Sequence, residues 1–298
     1  MRINSIIFMV ISILVTSSYA GDYTSEKMIS ANWGQGDSDF GLIREAEGNC
    51  PQSLTFDKDS NLAILDLVNK RVQRFSPGGK WLGTFRISSQ AFDIQFMDDH
   101  LILLAPYDYL VEKYNQHGEL IERVNINRKL GFIDGMSIIG NEIFVQTIEQ
   151  VQFNMSEKSL EMQLESGKQG FSSKIPDLRF RTKWIDPHQG FLMLENQRSG
   201  KSKTITINTQ DELGSLVFLN TDKYGNIYLR KELFTPDGKS YFEVDKLDED
   251  GNQLSTVQIA NENIVAPFKP ITIDQDGNIY FLEIKSQGFS VIRWQERK

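Results

Sequence analysis

The feature that most constrains the fold is a strand-and-turn pattern at residues 48–85 that recurs along the chain. It consists of four short runs of apolar or β-branched residues, separated by turns that begin at Asp57, Asn69 and Pro77. Aspartate, asparagine, glycine and proline favour turn dihedrals, so runs bounded by them on both sides are typical of antiparallel strands. Four such strands within roughly 40 residues predict one small sheet of a repeat architecture.

The same turn chemistry returns later in the chain. The five residues that begin at Asp57, Asp222 and Asp274 are nearly the same, namely DKDSN, DKYGN and DQDGN. The predicted first strand of each repeat ends at position 57, 97, 139, 186, 222 or 274, so the repeats are 36 to 52 residues apart. A four-stranded repeat of this period is typical of a β-propeller blade. Six repeats predict an all-β, six-bladed β-propeller that forms a single domain over residues 21–298.

Strand positions follow from the same pattern. In blades one to three we expect strands near residues 52–56, 61–66, 71–75, 80–86, 92–96, 100–105, 109–115, 119–126, 142–147, 151–155 and 160–164, with blade three starting near Asp134. In blades four to six we expect 182–186, 191–195, 204–208, 217–221, 226–230, 241–247, 253–259, 269–273, 278–283 and 289–294. Blade four has no convincing fourth strand before Leu216, and blade six ends one strand short. Because an unpaired outer edge promotes aggregation, we predict that residues 28–33 supply the missing strand and close the ring.

The amino terminus has the pattern of a secretory signal peptide. Arg2 provides a positive charge, residues 6–15 are apolar, and Ser18 and Ala20 are small residues on either side of a tyrosine. This pattern predicts a signal peptide over residues 1–20, cleaved after Ala20. The alternative, a retained membrane anchor, is disfavoured because the apolar run is too short to span a bilayer comfortably. We therefore expect a periplasmic or secreted protein with no stable membrane span after cleavage.

Charge and cysteine content narrow the class further. The chain has 32 basic and 40 acidic residues and a formal net charge of −8. An acidic overall field disfavours a protein that wraps nucleic acid. The single cysteine, Cys50, excludes an intrachain disulfide and fits a bacterial periplasm better than a disulfide-rich animal ectodomain. We predict that Cys50 is a small buried apolar residue at the start of blade one.

Blade one carries a resemblance to a known family. The chain is similar to the NHL-repeat consensus at Trp33-Gly34, Phe40-Gly41, Pro51, Asp57, Asn61, Asp66, Asn69, Val72-Gln73-Arg74-Phe75 and Gly79-Lys80. The resemblance is specific in blade one, extends to the inner halves of blades five and six, and continues as pattern alone in blades two to four. It implies a six-bladed propeller. NHL-like propellers serve as protein-binding platforms, as RNA binders and, rarely, as lyases, so function has to be argued from a site.

Residue spacing disfavours a metal site. The runs that begin at Asp248 and Asp274 look like calcium loops, but such a loop needs a carboxylate at its twelfth position. That position is Ile259 in one run and Lys285 in the other, so we predict hairpin turns instead. The chain has three histidines, which lie in or beside three different predicted turns: His100, His117 and His188. NHL-like lyases hold zinc with several histidines in the central channel, and this chain has no equivalent set.

Other catalytic signals are weak. Calcium-dependent lactonase propellers need a Glu, an Asn and an Asp that converge at the channel. Glu47-Gly48 is similar to the start of that pattern but lacks the expected continuation by proline and an aromatic residue. The sequence contains no Gly-x-Ser-x-Gly motif, no glycine-rich phosphate loop and no Cys-x-x-Cys-His for covalent haem attachment. We therefore predict no cofactor.

Two surfaces are candidates for binding. The local excess of positive charge in residues 168–203 predicts a basic face for an anionic partner, with candidate residues Lys168, Lys174, Arg179, Arg198, Lys201 and Lys203. Alignment of the inner strands predicts a ring of acids, bases and an amide at the mouth of the central channel, with candidate residues Gln52, Asp93, Asp134, Arg181, Lys183 and Lys269. The alternatives are a solvated face with no specific role and a water-filled channel whose ion pairs serve stability.

Together these observations favour an exported, non-enzymatic propeller that acts as a protein- or ligand-binding platform. We expect a protein partner, or else a glycan or a small anionic ligand, and no nucleic acid. Two alternatives remain open. One is a propeller enzyme, of the metal-assisted lactonase or lyase kind, that uses the central channel. The other is a scaffold subunit of a periplasmic redox assembly.

Overall fold

The computed structural model describes residues 23–45, 48–156, 160–172, 175 and 177–297. The predicted signal peptide, Glu47 and Lys174 lie outside the described residues. The strands form six sheets of four strands each, and these sheets are the blades of a six-bladed propeller. The predicted all-β architecture is therefore confirmed. Within the described residues no helix is long and apolar enough to cross a membrane.

In each blade the strands are given in sheet order, beginning at the central channel. Blade one contains β2 (Pro51–Phe56), β3 (Leu62–Asp66), β4 (Arg71–Phe75) and β5 (Trp81–Arg86), and blade two contains β6 (Asp93–Met97), β7 (His100–Ala105), β8 (Leu110–Tyr114) and β9 (Leu120–Asn125). Blade three contains β10 (Ile133–Ile139), β11 (Glu142–Thr147), β12 (Val151–Asn154) and β13 (Lys168–Gln169), and blade four contains β14 (Phe171–Ser172), β15 (Leu178–Asp186), β16 (Gln189–Asn196) and β17 (Ser202–Asn208). Blade five contains β18 (Glu212–Thr221), β19 (Ile227–Phe234), β20 (Ser240–Leu247) and β21 (Gln253–Ala260), and blade six contains β22 (Ile271–Ile273), β23 (Ile279–Lys285), β24 (Gly288–Glu296) and, outermost, β1 (Tyr23–Ala31). Two short helices, a 3₁₀-helix at Arg128–Leu130 and α1 at Leu160–Glu165, lie between strands.

The recurrent aspartates make the hairpin turns that the sequence predicts. Asp57 Oδ1 accepts hydrogen bonds from the backbone N–H of Asp59 and Asn61, both at 2.9 Å, and Asn61 Nδ2 donates to Asp57 Oδ2 at 3.0 Å. The same pairing of an aspartate with an asparagine four residues later occurs at Asp222, Asp248 and Asp274. Each carboxylate thus satisfies backbone donors of its own turn, as expected of an Asx turn.

The ring is closed by the amino-terminal strand, as predicted. β1 pairs antiparallel with β24, from Tyr23 opposite Glu296 to Ala31 opposite Phe289. The strand is longer than predicted, because it begins at Tyr23 rather than near residue 28. Its pairing covers the outer edge of blade six, which would otherwise expose a row of unpaired backbone groups.

A buried ion pair clasps the segment that follows β1. Arg71 Nε donates to Asp66 Oδ2 at 2.9 Å, and both side chains are buried. Arg71 Nη2 also donates to the carbonyl of Gly36 at 2.9 Å, while Asp66 Oδ1 accepts from the N–H of Gly41 at 3.0 Å. The residues of blade one that resemble the NHL consensus therefore fasten the closing segment to the disc.

Blade three departs from the prediction at its outer edge. Residues 160–164, predicted as its last strand, form α1, and the outer strand is the two-residue β13 instead. The helical segment LEMQLE contains no β-branched residue and consists of strong helix formers. Gln163 of the helix is buried, where its Oε1 accepts from the N–H of Asn127 at 3.1 Å.

Blade four departs from the prediction at its inner edge. Residues 182–186 were expected to be its first strand, but they belong to β15, and the sheet begins with the two-residue β14. Only Gly170, with φ of +81°, separates β13 from β14. Because no loop lies between these two strands, the turn residues that mark the other blade boundaries are missing here. Blade four therefore has a fourth strand, β17, in its outer position, and the predicted absence of one is wrong.

Antiparallel order places the loops on two opposite faces of the disc. Loops between the second and third strands of each blade share one face with the connections between blades, and we call this the mouth face. The hairpin turns between first and second strands, and between third and fourth strands, lie on the opposite face.

Clusters of buried apolar residues fill the spaces between neighbouring blades. Cys50 belongs to such a cluster with no exposed surface, as predicted, and burial raises the pKa of its thiol to about 12.

Candidate binding site at the channel mouth

Four of the six residues predicted at the channel mouth lie together at Lys269 and its backbone, and we call Gln52, Asp93, Asp134 and Lys269 the channel cluster. Lys269 Nζ donates to Asp93 Oδ2 and lies 3.4 Å from the carbonyl oxygen of Met136. Lys269 precedes the first strand of blade six, whereas Asp93 and Met136 belong to blades two and three. Because blade six borders neither of them in the ring, this side chain reaches across the central channel.

Gln52 holds the lysine segment in place. Its Oε1 accepts a hydrogen bond from the N–H of Phe268 at 3.0 Å, and its carbonyl accepts from the N–H of Lys269 at 2.8 Å. The amide nitrogen of the side chain donates to the carbonyl of Cys50 at 2.9 Å. A buried glutamine at the start of β2 therefore fixes the backbone from which Lys269 extends.

The two carboxyl groups of the channel cluster resist ionisation. Burial raises the pKa of Asp93, while the charge of Lys269 and the N–H of Met136 counteract part of that rise. Burial likewise raises the pKa of Asp134 to about 6, against the lowering effect of Lys269, and the nearby charge of Glu149 adds to the rise. Desolvation disfavours the charged form of an acid, which accounts for both directions.

Each of these carboxyl groups has an oxygen that is not satisfied. Asp93 Oδ1 and Asp134 Oδ1 are both buried and lack a hydrogen-bond partner among the described residues. A single lysine thus faces two carboxyl groups, one of which exchanges its proton near neutral pH. The channel cluster can accept hydrogen bonds or a proton from a ligand. Within the described part of the chain, no group of three His, Cys, Asp or Glu side chains gathers as a metal site would require.

Arg181 and Lys183 do not join the channel cluster. Both lie on β15, the second strand of blade four, so the alignment that treated this segment as an inner strand is wrong. Lys183 is exposed, and the aliphatic part of Arg181 lies close to Gly170. β15 nevertheless contacts β18, the first strand of blade five.

The residues of the predicted basic face are distributed over different environments. Arg179 is buried, and its guanidinium donates to the carbonyl of Gln169 at 2.7 Å and to Ser172 Oγ at 2.8 Å. It therefore pins the junction of blades three and four, and its assignment to an exposed face is wrong. The other described candidates are exposed: Lys168 on β13, and Arg198, Lys201 and Lys203 in or beside the β16–β17 turn on the opposite face. Lys203 pairs with Asp250 of blade five, with 3.4 Å between Nζ and Oδ1.

A row of aromatic rings, not identified from the sequence, crosses the mouth face beside the channel cluster. We call Phe268, Phe92, Tyr107 and Phe132 the aromatic row. Ring centroids are 5.9 Å apart for Phe268 and Phe92, 5.1 Å for Phe92 and Tyr107, and 6.1 Å for Tyr107 and Phe132. All three contacts are edge-to-face, the geometry that aromatic quadrupoles favour.

Other exposed apolar side chains share the mouth face with the aromatic row, and together we call them the apolar surface. Fifteen large apolar side chains are exposed among the described residues, and eight of them lie in or beside loops of the mouth face: Ile43, Tyr107, Phe132, Ile148, Trp184, Ile185, Phe234 and Ile264. Most of the others lie at the start of outer strands, at the rim of the disc. Large apolar residues in inter-strand loops were the available sequence signal, but the strand order does not show which loop side chains are exposed or contact one another.

Comparisons with known proteins agree with the fold. No protein-family model and no curated protein matches the sequence. Among solved structures, the chain is similar to a member of the DUF4221 family from Bacteroides vulgatus, with a TM-score of 0.57, 9% identity, and coverage of 94% of this chain and 100% of that chain. It is also similar to a luciferin-regenerating enzyme (TM-score 0.50, 10% identity, 86% of this chain and 95% of that chain) and to virginiamycin B lyase from Staphylococcus aureus (TM-score 0.49, 10% identity, 92% of this chain and 99% of that chain). At such low identity the likeness shows the propeller fold alone.

Proposed function

We propose that this protein is an exported, non-enzymatic propeller that binds a protein partner on its mouth face. The observation that carries the proposal is the aromatic row, in which Tyr107 and Phe132 expose 59% and 55% of their surface. Contiguous exposed apolar surface is rare on monomeric proteins and commonly marks an interaction site. The signal-peptide pattern of residues 1–20 supports export.

The composition of the apolar surface favours a protein over a glycan. Four of its eight residues are isoleucines, at positions 43, 148, 185 and 264. Isoleucine has no flat face on which a sugar ring can stack, whereas aliphatic and aromatic side chains together form the core of protein interfaces. The backbone also places the two kinds side by side, since the N–H of Ile148 donates to the carbonyl of Phe132 at 3.3 Å.

The aromatic row is held in a fixed arrangement before a partner binds. Phe92 is half-buried between Phe268 and Tyr107, and each ring stands on a short connection of the rigid disc. Preorganised side chains lose little conformational entropy on binding, so more of the contact energy appears as affinity. This use of a propeller as a platform agrees with the NHL-like features of blade one, and we propose that the chain is an NHL-like propeller.

The proposal is tested by a pair of matched double substitutions. Tyr107→Ser with Phe132→Ser removes two exposed rings of the mouth face. Leu120→Ser with Ile121→Ser removes two exposed apolar side chains from the outer strand β9. Each variant serves as bait in an envelope extract, and bound proteins are quantified by mass spectrometry.

Truncation of an aromatic residue at an interface hot spot costs at least about 2 kcal/mol. We therefore expect the mouth-face variant to recover at least roughly tenfold less of its specific partner than the wild-type protein does. The rim variant should recover as much as the wild type. Equal recovery by the wild-type protein and the mouth-face variant would refute the proposal.

The channel cluster favours a second candidate, an enzyme that transfers protons in the channel. Its basis is the raised pKa of Asp134, about 6, which suits a general base near neutral pH. Lactone hydrolysis with and without added divalent cations tests this alternative. Hydrolysis by the wild-type protein that is lost in Asp134→Asn would support it, and wild-type protein without activity on lactones would count against it.

A further inference from the structure

A cleft opens on the mouth face between blades five and six, and we call it the Arg230 cleft. It has a volume of about 150 Å³. Its walls include Arg230, Glu232, Phe242, Asn261, Pro267 and Phe268. Arg230 and Glu232 alternate on β19 with residues that face blade four, so both side chains point towards blade six.

The positive charge of the Arg230 guanidinium group has few stabilising contacts. Its central carbon lies 5.3 Å from the centre of the Phe242 ring. Nη2 donates to Ser215 Oγ at 3.3 Å, while Nε is buried and has no hydrogen-bond partner. Among the residues that the structure describes, no acidic side chain forms an ion pair with Arg230; Glu232 reaches it through the hydroxyl of Ser215, 3.3 Å from Glu232 Oε2.

Other buried cations of the fold are compensated, Arg179 by hydrogen bonds to backbone carbonyls and Lys231 by carboxylates. Lys231, the next residue on β19, is buried on the other side of the strand and pairs with Glu243 at 2.7 Å and Asp245 at 2.8 Å. A cleft of about 190 Å³ on the opposite face is also charged, but there Arg74 pairs with Asp57 at 2.9 Å. Arg230 is half-buried, and its Nε is buried without a hydrogen-bond partner. A cation that is partly removed from water without an ion pair is destabilising, so an anionic ligand would compensate Arg230.

We propose that the Arg230 cleft binds the carboxylate of a small organic acid with an apolar or aromatic body. The planar guanidinium offers parallel N–H donors that match a carboxylate. Phe242, Phe268 and Pro267 provide apolar walls for the rest of the ligand. Glu232 lies in the same cleft and repels anions of higher charge, which favours a monocarboxylate over phosphate.

A carboxylate of this kind has two natural sources, a free small acid and the carboxyl terminus of a peptide. The Arg230 cleft does not depend on the proposed protein partner, because Tyr107 and Phe132 are not part of it. Phe268 alone belongs to both the cleft and the aromatic row.

Calorimetric titration of the purified protein tests the proposal with two pairs of probes. Phenylacetate is compared with phenylacetamide, and N-acetyl-Gly-Phe with its carboxyl-terminal amide. We expect both acids to bind and both amides to bind at least roughly tenfold more weakly, because a charge-assisted hydrogen bond is lost. The tighter of the two acids indicates the natural source.

Three variants identify the group responsible. Arg230→Met should weaken phenylacetate binding by roughly ten- to a hundredfold. Glu232→Gln removes a like charge and should tighten it. Arg44→Met removes an exposed arginine of the same face and should leave it unchanged.

Two further measurements show whether a loss of binding is due to misfolding. One is the melting temperature of Arg230→Met, and the other is chemical-shift mapping of the wild-type protein. Without ligand, Arg230→Met should unfold at the same temperature as the wild type or higher, because a partly buried charge without an ion pair is removed. In the wild-type protein, phenylacetate should shift the amide resonances of residues around Phe242 and Asn261. Equal binding of acid and amide, unchanged binding by Arg230→Met, or no binding of either acid by the wild type would each overturn the proposal.

Discussion

Asp134 gives the structure a pH-dependent stability that can be measured directly. Burial raises its pKa from 3.8 to about 6 on folding. The folded state therefore binds this proton more tightly than the unfolded state does. The resulting penalty is absent below pH 3.8, grows between pH 3.8 and 6, and is complete above pH 6. Asp134→Asn removes the ionisable group and should stabilise the protein only at the higher pH values.

The magnitude follows from the size of the shift. One pKa unit corresponds to about 1.4 kcal/mol, so the shift sets an upper limit of about 3 kcal/mol on the penalty. Solvent at the channel mouth screens part of it, which leaves about 2 kcal/mol. For a domain of this size, that corresponds to a rise in melting temperature of about 3–4 °C at pH 8. Asparagine has nearly the same shape, so the cavity stays filled.

Thermal unfolding from pH 3.5 to 8.5 provides the assay, with Asp108→Asn as the control. Asp108 is an exposed aspartate on the mouth face outside the channel cluster, so the same substitution there should change the stability little. The Asp134→Asn difference should be near zero at pH 3.5 and should reach its full value above pH 6. A difference that is constant across this range, or a loss of stability at pH 8, would refute the reasoning.

Two further predictions concern the blades. Gly251 and Gly238 both have φ near +80°, but an added Cβ at Gly251 would overlap Ile205, whereas none of the neighbouring atoms lies within 4 Å at Gly238. In urea unfolding, Gly238→Ala should cost about 1 kcal/mol from backbone strain and Gly251→Ala about 2–4 kcal/mol, because overlap with Ile205 adds to the same strain; equal losses would contradict the packing argument. Removal of β1 exposes the edge of β24, so the truncated protein should form oligomers in size-exclusion chromatography at micromolar concentration; a stable monomer would show that closure is dispensable.

The sequence predicts well those parts of the fold that depend on hydrogen bonds within a single turn. Aspartate and asparagine residues such as Asp57 and Asn61 satisfy their own hairpin backbone, so the signal and its structural effect lie within five residues. The closing strand could also be predicted, because a blade with three strands requires a fourth. Prediction failed where this chemistry is absent, at Gly170, since β13 and β14 are joined there without a loop.

The candidate sites depend on contacts between distant blades, which sequence patterns do not specify. Asp93 and Lys269 were both placed at the channel mouth by alignment, but their contact across the ring depends on the assembled disc. The aromatic row joins residues of blades two, three and six through connections of different length. Arg230 lay within a predicted strand, and its missing partner becomes evident only when the neighbouring blade is in place.

The pairing of β1 with β24 has a consequence for the order of events during synthesis. Tyr23 is among the first described residues to leave the ribosome, and its partner Glu296 is among the last. The nascent chain therefore carries an incomplete disc until translation is nearly finished, because the strand that pairs with β1 is synthesised last. This order of events would suit the export that we propose, because a chain whose disc is still open can be threaded through a translocation pore before its last strand pairs with β1.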